Sequence, residues 1–168
     1  MMKGNSKGKR TLIIAAVPVA MSVLVVLYVL AGSREKAKRI SCISNLKGIG
    51  LAFRMYSQEY KGNFPPYDNA KGLGMLRSGG YLDNIKMFAC PSVEKSHIPP
   101  PGSQMTEEVT DYCYKGGLSE SSQIQILMWD KPGNHKDFGN VLYGDGSIRG
   151  FEGKDWLEKA KKAVDSPK

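Results

Sequence analysis

The sequence contains few of the residues that build catalytic and metal centres. Its 168 residues include two histidines, three cysteines and two tryptophans. No Ser-His-Asp order, glycine-rich phosphate loop or paired-cysteine zinc spacing is present. An enzyme would have no recognisable site in such a chain, so we expect a protein without catalytic residues and without a cofactor.

Cysteine is scarce and odd in number, so the chain can form at most one intrachain disulfide and keeps at least one free thiol. Cys90 and Cys113 fall in segments predicted to be neighbouring strands. A bridge between them would close a loop of about 23 residues and stabilise the fold by roughly 3 kcal/mol. This pair is the disulfide candidate. Two alternatives stay open: Cys42 reaches Cys90 instead, or all three thiols are buried as small apolar side chains.

Acidic residues are missing from the N-terminal region, where most of the positive charge lies. The chain has a net charge of +8. Four of these charges precede Leu12 and three lie between Gly32 and Ile40, which leaves one for residues 41–168. Basic residues beside a membrane each gain about 1 kcal/mol from anionic lipid. The distribution therefore predicts membrane lipid as a partner and argues against nucleic acid.

The same region holds one long apolar run. From Leu12 to Ala31 there are twenty consecutive residues without a charge. A helix of this length spans the roughly 30 Å hydrocarbon core of a bilayer, so the run predicts a transmembrane helix. The alternative is a cleaved secretory signal ending at Ala31-Gly32-Ser33. The flanking charges are nearly balanced and do not set the orientation.

Helical periodicity continues beyond the apolar run. Apolar side chains recur at steps of three and four residues at Ile40, Ile43, Leu46, Ile49, Phe53, Tyr56 and Tyr60. We therefore predict one helix from Leu12 to Tyr60, ending near Gly62 before Pro65 and Pro66. Gly48 and Gly50 weaken a helix, and we interpret them as sites where a sheet packs closely.

Shorter elements are predicted after this helix. A brief helix is expected over Leu73–Leu82 and a terminal helix over Lys154–Val164, with an extended proline-rich loop over Ile98–Gln104. Asp145-Gly146 lies between two apolar runs and predicts a hairpin with a type I′ turn. Short strands are predicted at Lys86–Cys90, Asp111–Lys115 and Gln123–Trp129.

Several segments together resemble a known family. His135 is followed by nine residues, KDFGNVLYG, and then by Asp145-Gly146. This spacing resembles the C-terminal His-x9-Asp-Gly motif of bacterial pilin-like proteins, the prepilin-type processing-associated domain family, which is related to type II secretion pseudopilins. Three further segments resemble the same family in order and spacing: Arg34–Pro66, Phe88–Ser92 and Asp130–His135.

The resemblance implies an α+β, pilin-like fold, in which a long N-terminal transmembrane helix packs against a small antiparallel sheet. The implied organisation is a cytoplasmic basic segment (1–11), a transmembrane helix (12–31), its extracytoplasmic continuation (32–61) and a small antiparallel-sheet domain with a C-terminal helix (62–168). The resemblance also implies a single-pass protein of the bacterial inner membrane with a cytoplasmic N-terminus.

The N-terminus departs from the family pattern. Prepilins are cut after a glycine that precedes Phe-Thr-Leu-Ile-Glu. Here Lys9 replaces the glycine, Arg10 the phenylalanine and Ile14 the glutamate. We therefore expect an uncleaved anchor and a structural or accessory role in a type II secretion or type IV pilus-related system, with other pilin-like or secretion-system subunits as partners. The alternative is a membrane-tethered extracytoplasmic ligand-binding module outside any secretion filament.

His135 and the nearby carboxylates have two interpretations. In the structural one, Asp145 and Gly146 form a tight turn and His135 fixes the approach to the hairpin by hydrogen bonding. In the other, His135 joins Asp130, Asp137 and Asp145 in a metal or general-base cluster. Related pseudopilins hold calcium near this end, which makes the three aspartates calcium candidates, although Ca²⁺ takes six to eight oxygen ligands and few are clustered here. The structural interpretation is favoured.

Overall fold

The structure is a computed structural model that describes residues 6–94 and 104–165, without the side chains of residues 6–20 and 31. Residues 1–5 of the predicted cytoplasmic segment and residues 98–103 of the predicted proline-rich loop lie outside the described residues. The same holds for the side chains of residues 12–20 and 31 of the predicted span.

The described elements are three α-helices, one 3₁₀-helix and four strands. The helices are α1 (Ser6–Glu59), α2 (Asn69–Ser78), the 3₁₀-helix (Ile85–Phe88) and α3 (Trp156–Asp165). The strands are β1 (Tyr112–Tyr114), β2 (Ile126–Asp130), β3 (Phe138–Tyr143) and β4 (Ile148–Glu152). They form one antiparallel sheet in the order β1-β2-β3-β4. The predicted α+β class with an N-terminal helix and an antiparallel sheet is confirmed.

The chain divides into two compact units, Met1–Ala37 and Lys38–Lys168. In the first unit, nine of the ten residues from Met21 to Leu30 are large apolar side chains that are 47–83% exposed. Within the part of the chain that the structure describes, no helix meets the length and apolarity needed to cross a bilayer.

The core of the second unit forms between α1 and one face of the sheet. Leu46, Ile49, Phe53 and Tyr56 of α1 are almost fully buried, as the three- and four-residue spacing predicts. The predicted stripe fails at its ends, because Ile40 is 65% and Tyr60 48% exposed. The sheet and α2 supply the opposite side of this core through Tyr112, Tyr114, Met128, Leu142, Leu73 and Leu76.

The second face of the sheet is covered by α3. Trp156 and Ala160 of α3 are buried against Val141 and Tyr143 of β3. Successive side chains of a strand point to opposite faces, so β3 supplies Leu142 to one core and its neighbours to the other. The sheet is therefore the middle layer of the second unit.

Gly50 permits the close approach of helix and sheet. A Cβ atom added at Gly50 would lie 3.3 Å from two carbons of Leu142, and one added at Gly48 would lie 2.0 Å from the Met87 methyl carbon. The side chain of Leu142 thus occupies the space beside the helix backbone. The prediction that a sheet packs closely at these glycines is confirmed for Gly50, whereas Gly48 lies against Met87 of the 3₁₀-helix.

Two local predictions are wrong. Lys86–Cys90 was expected to be a strand, but Ile85–Phe88 is a 3₁₀-helix because Asn84 Oδ1 accepts a hydrogen bond from the Lys86 backbone and starts a turn. The hairpin turn is not type I′, since Gly146 has φ +83° whereas Asp145 has no positive φ. Tyr143 pairs with Ser147 across a three-residue loop, in which a type I turn precedes one left-handed glycine.

Candidate functional site

A buried group of sulfur and nitrogen atoms lies between α1 and the sheet in the second unit. The Sγ atoms of Cys42 and Cys90 are 2.7 Å apart, and Cys90 Sγ is 3.6 Å from His135 Nε2. These three residues are 0–4% exposed, and their ligating atoms all lie within 4.8 Å of one another. We call Cys42, Cys90 and His135 the thiol–imidazole cluster.

Asn45 holds the loop that carries Cys90 against α1. It lies one helical turn after Cys42, and its Nδ2 donates to the Ala89 carbonyl at 2.9 Å and to the Tyr112 hydroxyl at 3.2 Å. Residues three apart on a helix share a face, so Asn45 and Cys42 contact the same segment. This places Cys90, the residue after Ala89, beside Cys42.

The loop carrying Cys90 is also tied to the sheet. The Cys90 amide donates to Asp111 Oδ2 at 2.7 Å, and the Asp111 amide donates to the Phe88 carbonyl at 2.9 Å. Asp111 directly precedes β1. The position of Cys90 is therefore fixed from both sides, by the helix through Asn45 and by the sheet through Asp111.

His135 contacts a polar side chain through each ring nitrogen. Nδ1 lies 3.0 Å from Ser92 Oγ, and Nε2 lies 3.6 Å from Asp130 Oδ2. Asp130 is fully buried, and its Oδ2 accepts bonds from the Asn140 amide at 2.7 Å and from Asn140 Nδ2 at 2.9 Å. Asp130 of β2 and the loop that carries Cys90 and Ser92 thus contact the imidazole, and Asn140 of β3 holds Asp130 in place.

The two thiols differ in pKa. The hydrogen bond between them raises the pKa of Cys42 and lowers the pKa of Cys90. Burial opposes ionisation of Cys90, but the imidazole of His135 and the backbone of Ser92 favour its thiolate. Cys90 is therefore the more nucleophilic sulfur of the pair.

Burial raises the pKa of Asp130 to about 6, although hydrogen bonds from Asn140 and the charge of His135 stabilise the carboxylate and act to lower the pKa. Because the folded chain holds this proton more tightly than the unfolded chain, Asp130 favours folding most at low pH. Its contribution is lost as the pH rises from about 4 to 6, on the order of 3 kcal/mol in all.

The Asp130→Asn variant tests this dependence. Asparagine keeps an oxygen for the Asn140 donors but does not ionise, so we expect its free energy of unfolding to lose the decline between pH 4 and 6. Urea unfolding of both proteins across this range measures the difference. A variant with the wild-type slope would show that another group causes it.

The two parts of the His-x9-Asp-Gly motif lie at opposite ends of β3, and each end is tied to α1. His135 contacts Cys90, which meets Cys42, while the Arg54 guanidinium donates to the Asp145 carbonyl. Cys42 and Arg54 are about 18 Å apart along the helix axis, and a six-residue strand is about 20 Å long. The motif spacing therefore matches a strand that runs beside the helix and docks at both ends.

Gly146 is needed at the second of these ends. It combines a φ of +83° with a position where an added Cβ would lie 2.9 Å from an Arg54 nitrogen. The Asp145 carboxylate accepts a hydrogen bond from the Ser147 amide at 2.8 Å. These contacts are those of a turn, in line with the structural interpretation of the motif.

The three calcium candidates are not brought together. Asp130 lies beside Asn140 in the interior, Asp137 precedes β3, and Asp145 lies in the exposed turn after it. Among the described residues, the group suited to hold a metal ion is the thiol–imidazole cluster, which contains none of these carboxylates.

Cys113 does not pair with Cys90. All three cysteines are free, and the sulfur next to Cys90 belongs to Cys42. Tyr112 and Tyr114 point into the core beneath α1, so Cys113 between them points to the opposite face. Sequence reasoning placed Cys90 and Cys113 in adjacent strands. It predicted neither the 3₁₀-helix before Cys90 nor the face of the sheet to which Cys113 points, and it named Cys42 only as an alternative.

Sequence reasoning missed the partners of the cluster. Ser92, Asn45 and Asn140 all contribute hydrogen bonds around it. None belongs to a short motif with a known mechanism. The local signal available was the pair of thiols itself, one on the apolar helix and one just before Pro91.

The matched family covers less than a third of the chain. A family described as "Protein of unknown function (DUF1559)" matches residues 32–82, from the later part of α1 through α2. Cys42 and Asn45 lie inside this match, and Cys90 and His135 lie outside it. No curated protein and no solved structure matches the chain.

Proposed function

We propose that this chain is a pilin-like structural or accessory subunit of a type II secretion or type IV pilus-related system, anchored in a bacterial inner membrane. The observation that carries the proposal is α1. Its later residues form one side of the core of an antiparallel-sheet unit, and nine of its residues 21–30 are exposed and apolar. The matched family is associated with pilin-like and type II secretion-related proteins, which supports the same conclusion.

Lipid is the proposed surrounding of the apolar run from Leu12 to Ala31. Nine exposed large apolar residues in ten consecutive positions form a surface that water solvates poorly. The basic residues on both sides of the run suit anionic headgroups. A cytoplasmic N-terminus and an extracytoplasmic second unit complete the proposed topology.

The proposed anchor is retained after export. Lys9, Arg10 and Ile14 occupy the positions at which a prepilin has its glycine, phenylalanine and glutamate. A peptidase that requires a glycine at that position, directly before Arg10, meets Lys9 instead. The missing glutamate also removes the carboxylate that pairs subunits inside the membrane, so the proposed role is accessory to a filament.

A second surface of α1 is proposed to contact other subunits. Ile40, Leu51 and Met55 are 65%, 61% and 44% exposed. At 100° per residue they lie on the face of the helix opposite Leu46 and Phe53. An apolar helix face outside the proposed span suits packing against the helix of another pilin-like subunit. Catalysis is not part of the proposed role.

Anchoring and processing are tested together in the expressing bacterium. We expect the full chain to stay with membranes after alkaline extraction and its second unit to be digested by protease added to spheroplasts. The intact mass should retain the residues before Arg10. Release by alkali, protection from protease, or a mature N-terminus at Arg10 would each contradict one part of the proposal.

A further inference from the structure

The buried contact between Cys42 and Cys90 indicates chemistry that the proposed function does not require. Two thiol sulfurs lie 2.7 Å apart and almost without solvent exposure, one on α1 and the other in the loop after the 3₁₀-helix. A disulfide has a sulfur–sulfur bond of about 2.05 Å, so bond formation needs a movement of less than about 1 Å.

We propose that Cys42 and Cys90 are a covalent modification site: an intrachain disulfide that fastens the helix to the sheet unit and leaves Cys113 as the free thiol. The placement of both cysteines in an oxidising, extracytoplasmic compartment rests on the proposed function. The pairing itself rests on the geometry alone.

The oxidant is a disulfide, either in a donor protein or in a small molecule. The Cys90 thiolate attacks one donor sulfur and forms a mixed disulfide, and the other donor sulfur leaves as a thiolate. Cys42, once deprotonated, attacks Cys90 Sγ and displaces the remaining donor sulfur. Two electrons pass to the donor, and its two sulfurs, which leave as thiolates, take up the two thiol protons, so the donor ends fully reduced.

His135 and Ser92 suit this step. In the tautomer that carries its proton on Nδ1 and donates it to Ser92 Oγ, the imidazole has its Nε2 lone pair 3.6 Å from the Cys90 sulfur, and an imidazolium formed there lies 3.6 Å from Asp130 Oδ2. Nε2 is then placed to accept the thiol proton of Cys90. Because both sulfurs are buried, exchange with a donor takes place before the loop docks on α1 or during its local opening.

Zinc is the competing occupant of the cluster, and the distances favour the disulfide. Two thiolates bound to one zinc at about 2.3 Å in a tetrahedron lie about 3.8 Å apart, so the sulfurs would have to separate by about 1 Å. Structural zinc has four protein ligands. Among the described residues, the cluster offers three, whose ligand atoms all lie within 4.8 Å of one another. Asp130 falls outside that group, and its Oδ2 already accepts two bonds from Asn140.

The pairing is tested on the purified full chain in detergent, reduced and then incubated with oxidised and reduced glutathione. Thiols are trapped in denaturant, and peptides are mapped without reduction. We expect a loss of about 2 Da for the two thiol hydrogens, a Cys42–Cys90 cross-linked peptide and one labelled thiol at Cys113. Cys113→Ala should keep the cross-link, and Cys42→Ala should lose it.

Other outcomes overturn the pairing. A Cys90–Cys113 peptide, three free thiols under oxidising glutathione, or one equivalent of zinc that protects both thiols after purification would each do so. If Cys42→Ala does not fold, peptide mapping of the wild-type chain and of Cys113→Ala still decides the question.

Mapping of protein taken directly from cells tests the compartment separately. A chain that forms the bridge with glutathione but is reduced in cells would count against the extracytoplasmic placement and would leave the pairing intact.

Discussion

The Phe53→Ala variant is expected to lose about 3–5 kcal/mol of the free energy of unfolding, the typical loss for a buried phenylalanine. Phe53 is fully buried, its ring stacks on Tyr114 at 4.6 Å between centroids, and its edge meets Phe64 at 6.0 Å. Removing the ring opens a cavity between α1 and the sheet. Because small domains are stable by only about 5–15 kcal/mol, the loss is a large share of the total.

Leu51→Ala is the matched control for this prediction. Leu51 lies on the same helix, two residues before Phe53, but is 61% exposed. Its truncation should change the stability by less than about 0.5 kcal/mol. Urea unfolding of the full chain in detergent, followed by the fluorescence of Trp129 and Trp156, measures both. Equal losses at the two positions would show that α1 does not pack on the sheet through Phe53.

Reduction of the Cys42–Cys90 bridge is expected to lower the free energy of unfolding by about 4 kcal/mol. The two cysteines are 48 residues apart. A bridge that closes a loop of that length lowers the conformational entropy of the unfolded chain and thereby stabilises the folded chain by about 4 kcal/mol. Urea unfolding of the wild-type chain with and without reductant measures the effect.

Two variants separate this effect from other actions of the reductant. Cys42→Ala should unfold at the same urea concentration with and without reductant. Cys113→Ala should respond to reductant like the wild type, since Cys113 takes no part in the bridge. A wild-type chain that is insensitive to reductant after oxidation would contradict the contribution that we assign to the bridge.

The elements that follow local periodicity could be predicted from the sequence. Apolar residues three and four positions apart marked α1, and their buried members are those at Leu46, Ile49, Phe53 and Tyr56. Ile40 and Tyr60 continue the pattern but are exposed, because a pattern does not reveal where its packing partner ends. Asp145-Gly146 indicated a hairpin, whereas the loop length depends on the pairing of Tyr143 with Ser147.

The thiol–imidazole cluster could not be predicted as a unit. Cys42, Cys90 and His135 are separated by 48 and 45 residues and lie on a helix and two loops. Their proximity depends on the docking of Asn45 on Ala89 and of Cys90 on Asp111, which are tertiary contacts. The favoured pairing of Cys90 with Cys113 rested on a predicted strand at Lys86–Cys90, but Ile85–Phe88 is a 3₁₀-helix and the sulfur beside Cys90 is that of Cys42.

The spacing of the His-x9-Asp-Gly motif now has a physical explanation for this chain. A strand of six residues and twelve residues of helix have similar lengths, so β3 can be held to α1 at both ends, by the cluster at His135 and by Arg54 at Asp145. A different number of intervening residues would move one end off its contact. The motif is thus accounted for by packing between the helix and the sheet.

Site-specific photocrosslinking at Leu51 in the expressing bacterium tests the proposed role most directly. A benzophenone amino acid replaces Leu51 on the exposed apolar face of α1, and Glu158 on α3 is the matched exposed control. The account predicts light-dependent adducts at position 51, identified by mass spectrometry as a second copy or another membrane-anchored pilin-like subunit, with none at position 158. A chain that stays monomeric at both positions and carries a bound small molecule would contradict it.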